Sequence, residues 1–143
     1  MAFGDYPILL RIIRSNQTWR VIDSYSGVNH CLERLAYRKA YVVAEVCGTL
    51  GCSSRYLHTL FVRDIGLPPK HWMNLERMVV ARRKLDGGKS PEEVARDLGF
   101  LSVQTFSRQF RRHHQITPGK FQSARRIFDP STMKSSKRDS AKD

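Results

Sequence analysis

The stretch Ser90–Gln122, "SPEEVARDLGFLSVQTFSRQFRRHHQITPGKFQ", combines helix start and stop signals with a strongly two-sided pattern. Within it, Phe106 and Phe110 are four residues apart and therefore lie on one side of a helix. The opposite side of that helix carries amide, hydroxyl and guanidinium groups. One side is therefore suited to a hydrophobic core, and the other is suited either to solvent or to recognition of another molecule.

Capping residues divide this stretch into successive helices. Ser90, followed three residues later by Glu93, has the pattern of a capping box at a helix start. Gly99 can adopt the left-handed conformation that ends a helix, and Ser102 is a suitable N-cap for the next one. A short helix, a glycine turn and a second helix are typical of a helix-turn-helix unit.

A second copy of this pattern lies earlier in the chain. The segment "EVCGTLG" at Glu45–Gly51 matches "EVARDLG" at Glu93–Gly99, and beyond the glycine the offset changes from 48 to 49, so that Phe61 matches Phe110. Ser53 or Ser54 is the corresponding N-cap. Two copies are too few for a solenoid, so they predict two helix-turn-helix units. A generic pair of antiparallel helices would not need a polar, partly basic outer face on the second helix of both copies.

A longer linking helix is predicted between the units, over about residues 69–86. It starts at Pro68-Pro69 and ends at Gly87-Gly88. Its predicted apolar side consists of Trp72, Leu75, Met78, Val79, Ala81 and Leu85. After the second unit, Thr117-Pro118 predicts a last helix over about residues 118–127.

The two ends of the chain follow other patterns. Residues 1–27 form either a short hairpin, built from Ile8–Ile13 and Trp19–Ile22, or an irregular arm. From about Val28 the pattern becomes helical, with Cys31, Leu32, Leu35 and Ala36 on one stripe. Residues 129–143 are polar and poor in apolar side chains, which predicts a disordered tail.

The charge of the chain indicates a polyanionic partner. Lys and Arg number 25 against 13 Asp and Glu, a net charge of +12. Residues 37–126 alone contain 17 basic and 7 acidic residues, which accounts for +10 of that charge. Nucleic acid is the first candidate partner and an anionic membrane surface the second.

Several other classes of protein are disfavoured by the sequence. The apolar run Ile8–Leu10 is broken at Arg11, so no segment is suited to span a membrane. The odd count of three cysteines argues against a disulfide framework and for a reducing, cytoplasmic setting. Their spacings match no usual ligand pair, which argues against a metal site. The "GGKS" at residues 87–90 lacks the first glycine and the preceding strand of a phosphate-binding loop. No catalytic motif is present in the sequence, so we expect neither an enzyme nor a cofactor.

From about Val28 to Arg126 the chain resembles the DNA-binding domain of AraC/XylS-type transcription regulators, most clearly in Ser90–Gln122. The resemblance implies an all-α fold of about seven helices over residues 28–128, with two helix-turn-helix subdomains at about 42–66 and 90–114 joined by the linking helix. It also implies that the third and sixth helices enter successive major grooves. One chain would then bind double-stranded DNA as a monomer, with a dimer left open and RNA polymerase as a further candidate partner.

The resemblance assigns two groups of candidate DNA contacts. The expected base-reading residues are Arg55, His58, Thr59, Val103, Gln104, Thr105 and Arg108. Glutamine suits adenine, arginine suits guanine, and valine or a threonine methyl suits the thymine methyl group. The expected phosphate-contacting residues are Ser54, Tyr56, Ser102, Ser107, Arg111, Arg112 and Lys120.

Three positions depart from the family pattern. Val42 stands where a serine or threonine cap is common, so the first helix of the first unit is expected to start less sharply. Gln115 replaces the usual glycine, and Gln122 stands where an arginine is common. Family members also usually carry a sensing or dimerising domain, for which residues 1–27 are too few. The chain is therefore expected to be either a short stand-alone regulator or a fragment of a longer one.

From these patterns we expect a sequence-specific, bacterial-type transcription regulator that acts in the cytoplasm at the nucleoid. By analogy with the family, activation is expected more than repression. The alternative is a protein-interaction or nucleoid-type module that uses the basic surface without sequence specificity. A repair methyltransferase with a similar module would need four clustered cysteines, and the chain has only three, at Cys31, Cys47 and Cys52.

Overall fold

The computed structural model describes residues 10–23 and 25–128 of the chain. Seven helices dominate this part and confirm the predicted fold class, to which a small three-stranded sheet is added. The strands are β1 (Leu10–Ser15), β2 (Thr18–Asp23) and β3 (Asn29–Cys31). The helices are α1 (Leu32–Arg38), α2 (Val43–Leu50), α3 (Ser54–Asp64), α4 (Pro69–Asp86), α5 (Pro91–Asp97), α6 (Val103–His114) and α7 (Pro118–Phe128). The tail predicted over residues 129–143 lies outside the described residues, as do the first two residues of the predicted hairpin.

The chain divides into two compact units, Met1–Arg77 and Met78–Asp143. The first unit contains the sheet, α1, α2, α3 and the first half of α4, and the second contains the rest of α4 with α5, α6 and α7. No described helix combines the length and the apolar composition that crossing a membrane requires.

The predicted N-terminal hairpin is present in the first unit. β1 and β2 pair in antiparallel fashion around Asn16 and Gln17, whose φ angles of 50° and 67° form the tight turn. Ile12 pairs with Val21 across the two strands, and both side chains are buried in the core of this unit. The hairpin therefore belongs to the folded first unit.

The predicted start of the first helix, from about Val28 with Cys31 on its apolar stripe, is wrong. Asn29–Cys31 form β3, which pairs antiparallel to β2 with His30 opposite Val21. Helix α1 begins only at Leu32. Pairing with β2 satisfies backbone groups of these three residues, and this tertiary contact overrides a weak local helical pattern.

The core of the first unit lies between the sheet and the helices. Its fully buried members include Leu32, Leu57, Leu60 and Phe61, together with Val21 from the sheet. The ring of Phe61 meets that of Trp72 from α4 at 5.8 Å in an edge-on arrangement, as aromatic pairs prefer.

The turns of both helix-turn-helix units follow the predicted capping pattern. Gly51 has a φ of 68° at the end of α2, and Gly99 has a φ of 76° after α5. Of the two serines considered for the first unit, Ser53 is the N-cap, and its hydroxyl oxygen accepts from the Tyr56 amide at 3.1 Å. The Ser102 hydroxyl oxygen accepts from the Thr105 amide at the same distance. Equivalent side chains therefore set the start of the second helix in both units.

Two departures from the family pattern have visible consequences. Val42 occupies the N-cap position before α2 and makes no side-chain cap, as expected for a side chain that carries no acceptor. Gln115 ends α6 with a φ of 65°, in the left-handed region where glycine is favoured.

The predicted apolar side of α4 needs correction at two residues. Val79 was expected inside, but 43% of its surface is exposed, whereas Met73 was not expected and is buried. Leu75 is half-buried. A single stripe cannot describe this helix because its first half contributes to the first unit and its second half to the second.

Candidate nucleic-acid interface

Helix α6 presents a polar face that is held from behind by aromatic rings. Phe106 and Phe110 are fully buried, with ring centroids 5.7 Å apart. Phe110 also contacts Phe121 of α7 at 5.8 Å, and Phe106 contacts Phe100 at 5.2 Å. These edge-on and tilted contacts fix the rotation of α6 within the second unit.

The expected base-reading side chains of α6 lie on the side away from these rings. Gln104 and Arg108 are exposed and stand one turn apart, and Arg111 follows three residues later on the same face. Val103 and Thr105 flank this face and are half-buried. The amide and guanidinium groups of α6 can therefore reach a partner without disturbing the core.

The first turn of α6 is organised by Ser102. Besides capping the helix, its hydroxyl oxygen lies 3.0 Å from the hydroxyl of Thr105. The polar groups of these two residues are thus engaged with each other, and the methyl group of Thr105 remains available for an apolar contact. This cap holds Val103 and Gln104 at the exposed start of the helix.

The remaining expected phosphate contacts of this unit are also at the surface. Arg111, Arg112 and Lys120 are exposed and Ser107 is half-buried. Lys120 lies in the first turn of α7, where its backbone amide donates to the Thr117 hydroxyl at 3.2 Å. That bond confirms the predicted cap of the last helix.

Helix α3 has the same organisation in the first unit. Leu57, Leu60 and Phe61 are buried, while Arg55 and His58 are exposed on the other side. Thr59 is exposed as well, and its hydroxyl donates to the carbonyl oxygen of Arg55 at 3.2 Å. Its methyl group is therefore the part best placed to contact a base.

The other two candidates of the first unit differ in their surroundings. Ser54 is exposed at the start of α3 and accepts a weak hydrogen bond from the Cys47 thiol, with sulfur and oxygen 3.9 Å apart. Tyr56 is half-buried against the core, and its hydroxyl oxygen accepts from the Leu10 amide at 3.3 Å. Tyr56 therefore has a structural contact with the sheet that the sequence pattern did not predict.

Val62 is a candidate contact that the sequence interpretation missed. It lies one turn beyond His58 on the outer side of α3, and 46% of its surface is exposed. The offset of 49 between the two units places Val62 at the position that corresponds to Arg111. Comparison with Arg111 could therefore have identified Val62 as a candidate contact from the sequence.

Within the part of the chain that the structure describes, the exposed arginines of these two faces form no ion pair. Among residues 10–23 and 25–128, carboxylates pair with Arg63, Lys84, Lys89 and Arg125. Arg55, Arg108, Arg111 and Arg112 are in none of these pairs. Because their guanidinium groups are exposed, they are available for phosphate or base-edge acceptors.

A family model described as a helix-turn-helix domain matches residues 46–124, more than half of the chain. Among curated proteins, the regulatory protein PocR of Salmonella typhimurium is 35% identical over 75 residues, which cover 52% of this chain and 25% of PocR. The lactose operon transcription activator of Staphylococcus xylosus is 24% identical over 86 residues, covering 59% of this chain and 31% of the activator. The chain therefore matches only about a quarter to a third of these two relatives.

Solved structures agree with this family. An AraC-type transcriptional regulator from Chromobacterium violaceum superimposes with a TM-score of 0.57 and 27% identity, covering 64% of this chain and 86% of that one. The C-terminal domain of the response regulator yesN from Fusobacterium nucleatum gives the same TM-score at 26% identity, covering 64% and 90%. These relatives are transcription regulators with DNA-binding helix-turn-helix domains, not enzymes. The two capped helix-turn-helix units and these matches together show that the chain belongs to the AraC/XylS-type family of DNA-binding domains.

Proposed function

We propose that this chain regulates transcription by reading a specific double-stranded DNA sequence with α3 and α6, each placed in a major groove. The observation that supports the proposal most is the repeated design of the two helices. Each is capped by a serine, anchored by a buried phenylalanine and exposed on its polar or basic face.

The side chains of α6 favour direct reading of bases. Gln104 suits the N6 and N7 groups of adenine, and Arg108 suits the O6 and N7 groups of guanine. In α3, Arg55 and His58 present donors at the equivalent face, and Thr59 presents a methyl group. Each good bidentate pair between a side chain and a base contributes roughly 1–3 kcal/mol of discrimination against the wrong base.

The surrounding basic residues suit the phosphate backbone. Arg111, Arg112 and Lys120 are exposed next to the reading face of α6. In our proposal they set the register of the second unit on DNA, whereas Ser102 acts chiefly as a helix cap. Such contacts make binding depend steeply on salt concentration.

Activation of transcription is the outcome we propose, with RNA polymerase as the further partner. The Staphylococcus xylosus relative is named as a transcription activator. We propose that one chain binds its site as a monomer, since each chain already contains two reading helices.

Selection of bound sequences from randomised DNA, followed by salt-titrated binding of the selected and a scrambled duplex, tests the proposal. We expect two short conserved blocks about 10–10.5 base pairs apart, because the helices would enter successive major grooves. We also expect the selected duplex to bind at least about a thousandfold more tightly than the scrambled one. Equal affinity for both duplexes would favour a nucleoid-type role, and the absence of DNA binding at low salt would favour a protein-interaction module.

A further inference from the structure

The first unit has an edge strand whose outer side is covered by α3. Among the described strands the order is β1-β2-β3, so β2 is the only one of them that pairs with β1. The backbone groups on the other side of an edge strand need partners or solvent, and proteins commonly cover them. Here the partners are side chains of the helix that carries the expected base-reading residues of this unit.

Three hydrogen bonds connect β1 to α3. The Leu10 amide donates to the Tyr56 hydroxyl oxygen at 3.3 Å, and the Ile12 amide donates to Asp64 Oδ2 at 2.8 Å. In the opposite direction, Arg63 Nη2 donates to the Leu10 carbonyl oxygen at 3.2 Å. The contacts involve both the first and the last turn of α3, so they restrain the helix at two separated points.

The hydrogen bond from the Ile12 amide to Asp64 is the shortest of the three and the one with a charged acceptor. The Asp64 carboxylate is also held by Arg63, with Nε 2.8 Å from Oδ1 and Nη2 2.9 Å from Oδ2. The hydrogen bonds from Arg63, and then the Ile12 amide, lower the pKa of Asp64, although partial burial opposes them. A charged acceptor makes a stronger hydrogen bond to a backbone amide than a neutral one does.

Apolar packing acts together with these bonds. The side chains of Leu10 and Ile12 are buried in the same core as Leu60 and Phe61 of α3. Arg55 and His58 lie on the exposed side of the same helix. A rotation of α3 about its axis would therefore disturb the sheet contacts and the outward side chains together.

We propose that the N-terminal sheet positions α3 for DNA reading, with Asp64 as the main positioning residue and Tyr56 as a second. The inference rests on the proposed function, because it assigns the sheet a role in that same site. The sheet lies outside residues 46–124, the part that matches the family model, so this role belongs to the chain's own N-terminal region. Reading of bases requires side chains placed within about 0.5 Å and 10–20° of their productive geometry.

The test compares the full chain with Asp64→Ala, Asp64→Asn and Tyr56→Phe on the selected duplex. Asp64→Ala removes the acceptor of the Ile12 amide, and Asp64→Asn retains an oxygen that can accept it. If α3 keeps its productive orientation only a tenth of the time without this bond, the dissociation constant rises about tenfold. Tyr56→Phe should act in the same direction but less strongly, and Asp64→Asn should restore most of the affinity.

A matched control is available in the second unit. Asp97 of the second unit pairs with Lys89 at 2.7 Å and Lys84 at 3.3 Å. Asp97→Ala should leave DNA affinity within about twofold of the parent chain, as is usual for loss of an exposed ion pair.

The decisive measurement is base preference at each half of the site. In Asp64→Ala, discrimination should fall at the base pairs read by α3 and stay unchanged at those read by α6. Simple loss of folded protein would instead weaken all duplexes equally. Hydrogen exchange of the Ile12 amide verifies that the bond has been lost in the variant.

The inference would be overturned if Asp64→Ala had a rapidly exchanging Ile12 amide but kept the affinity and the base preference of the parent chain. A parent chain without any sequence preference would instead refute the proposed function, so the two failures are distinguishable.

Discussion

The ring nitrogen Nε2 of His114 lies 3.1 Å from the backbone carbonyl oxygen of Met78. Because a carbonyl oxygen only accepts hydrogen bonds, Nε2 must carry the proton, and this contact selects one tautomer of the imidazole. The same ring lies against Phe110, with centroids 4.4 Å apart. His114 thereby ties the end of α6 to α4 within the second unit.

The partial burial of His114 predicts that the second unit loses stability in mild acid. Burial lowers the pKa of His114 below its ordinary value of 6.5, and nearby His113 and Arg82 lower it further, while the bond to Met78 opposes them. The unfolded chain therefore takes up a proton near pH 6.5, before the folded chain does. The contribution of His114 to stability is complete above that pH and declines as the pH falls toward the folded value.

Urea unfolding followed from about pH 8 to about pH 5, across the ordinary range of histidine titration, measures this loss. We expect His114→Phe, which keeps an aromatic ring but cannot titrate, to show a flatter pH dependence. His113→Gln should flatten the pH dependence less than His114→Phe does, because burial, the main cause that lowers the pKa of His114, remains in that variant. An unchanged slope in His114→Phe would assign the pH dependence to other groups.

Gln115→Gly should stabilise the chain by about 0.5–1 kcal/mol, because glycine adopts the left-handed conformation without the steric cost that glutamine has. The hydrogen bond from Gln115 Nε2 to the Arg112 carbonyl oxygen would be lost, but it is exposed. Gly51→Ala is the converse variant. Gly51 ends α2 with a φ of 68°, which alanine adopts only at a steric cost, so this substitution should destabilise the chain. Denaturant midpoints of both variants check the prediction, and a stability loss in Gln115→Gly would contradict it.

Gln122→Ala should destabilise the second unit by about 1–2 kcal/mol, because it leaves two backbone acceptors without their donor. The Gln122 side-chain nitrogen donates to the Leu85 carbonyl oxygen at 3.0 Å and to that of Lys89 at 2.6 Å. It thus connects α7 to the end of α4 and to the turn that follows. Gln104→Ala is the matched control, since Gln104 is exposed and its loss should change unfolding by less than about 0.5 kcal/mol. Similar unfolding energies for the two variants would show that these bonds contribute little.

Arg108→Ala should reduce affinity for the selected duplex by about 1–3 kcal/mol and relax preference at one base pair. Arg112→Ala should weaken the selected and the scrambled duplex alike and reduce the salt dependence, as expected for a phosphate contact. Both arginines are exposed on α6, so neither substitution should alter the fold. Equal weakening of both duplexes by Arg108→Ala would contradict its proposed role as a base reader.

The sequence alone was sufficient to predict both helix-turn-helix units. Ser90 and Ser102 act as N-caps, and Gly51 takes the left-handed conformation, as their positions indicated. These features are predictable because capping depends on a few neighbouring residues, and because the offset repeat shows the same solution twice.

The placement of the polar faces of α3 and α6 was also predictable, since helical periodicity relates Phe106 and Phe110 to the exposed Gln104 and Arg108. Tertiary structure alone decided which other side chains support those faces. Asn29–Cys31 became a strand by pairing with β2, and Val79 is exposed because α4 contributes to two units. The Asp64 carboxylate accepts a hydrogen bond from the amide of Ile12, which is 52 residues away in the chain. Contacts of this kind join residues that are remote in the chain, and no local periodicity or capping rule specifies them.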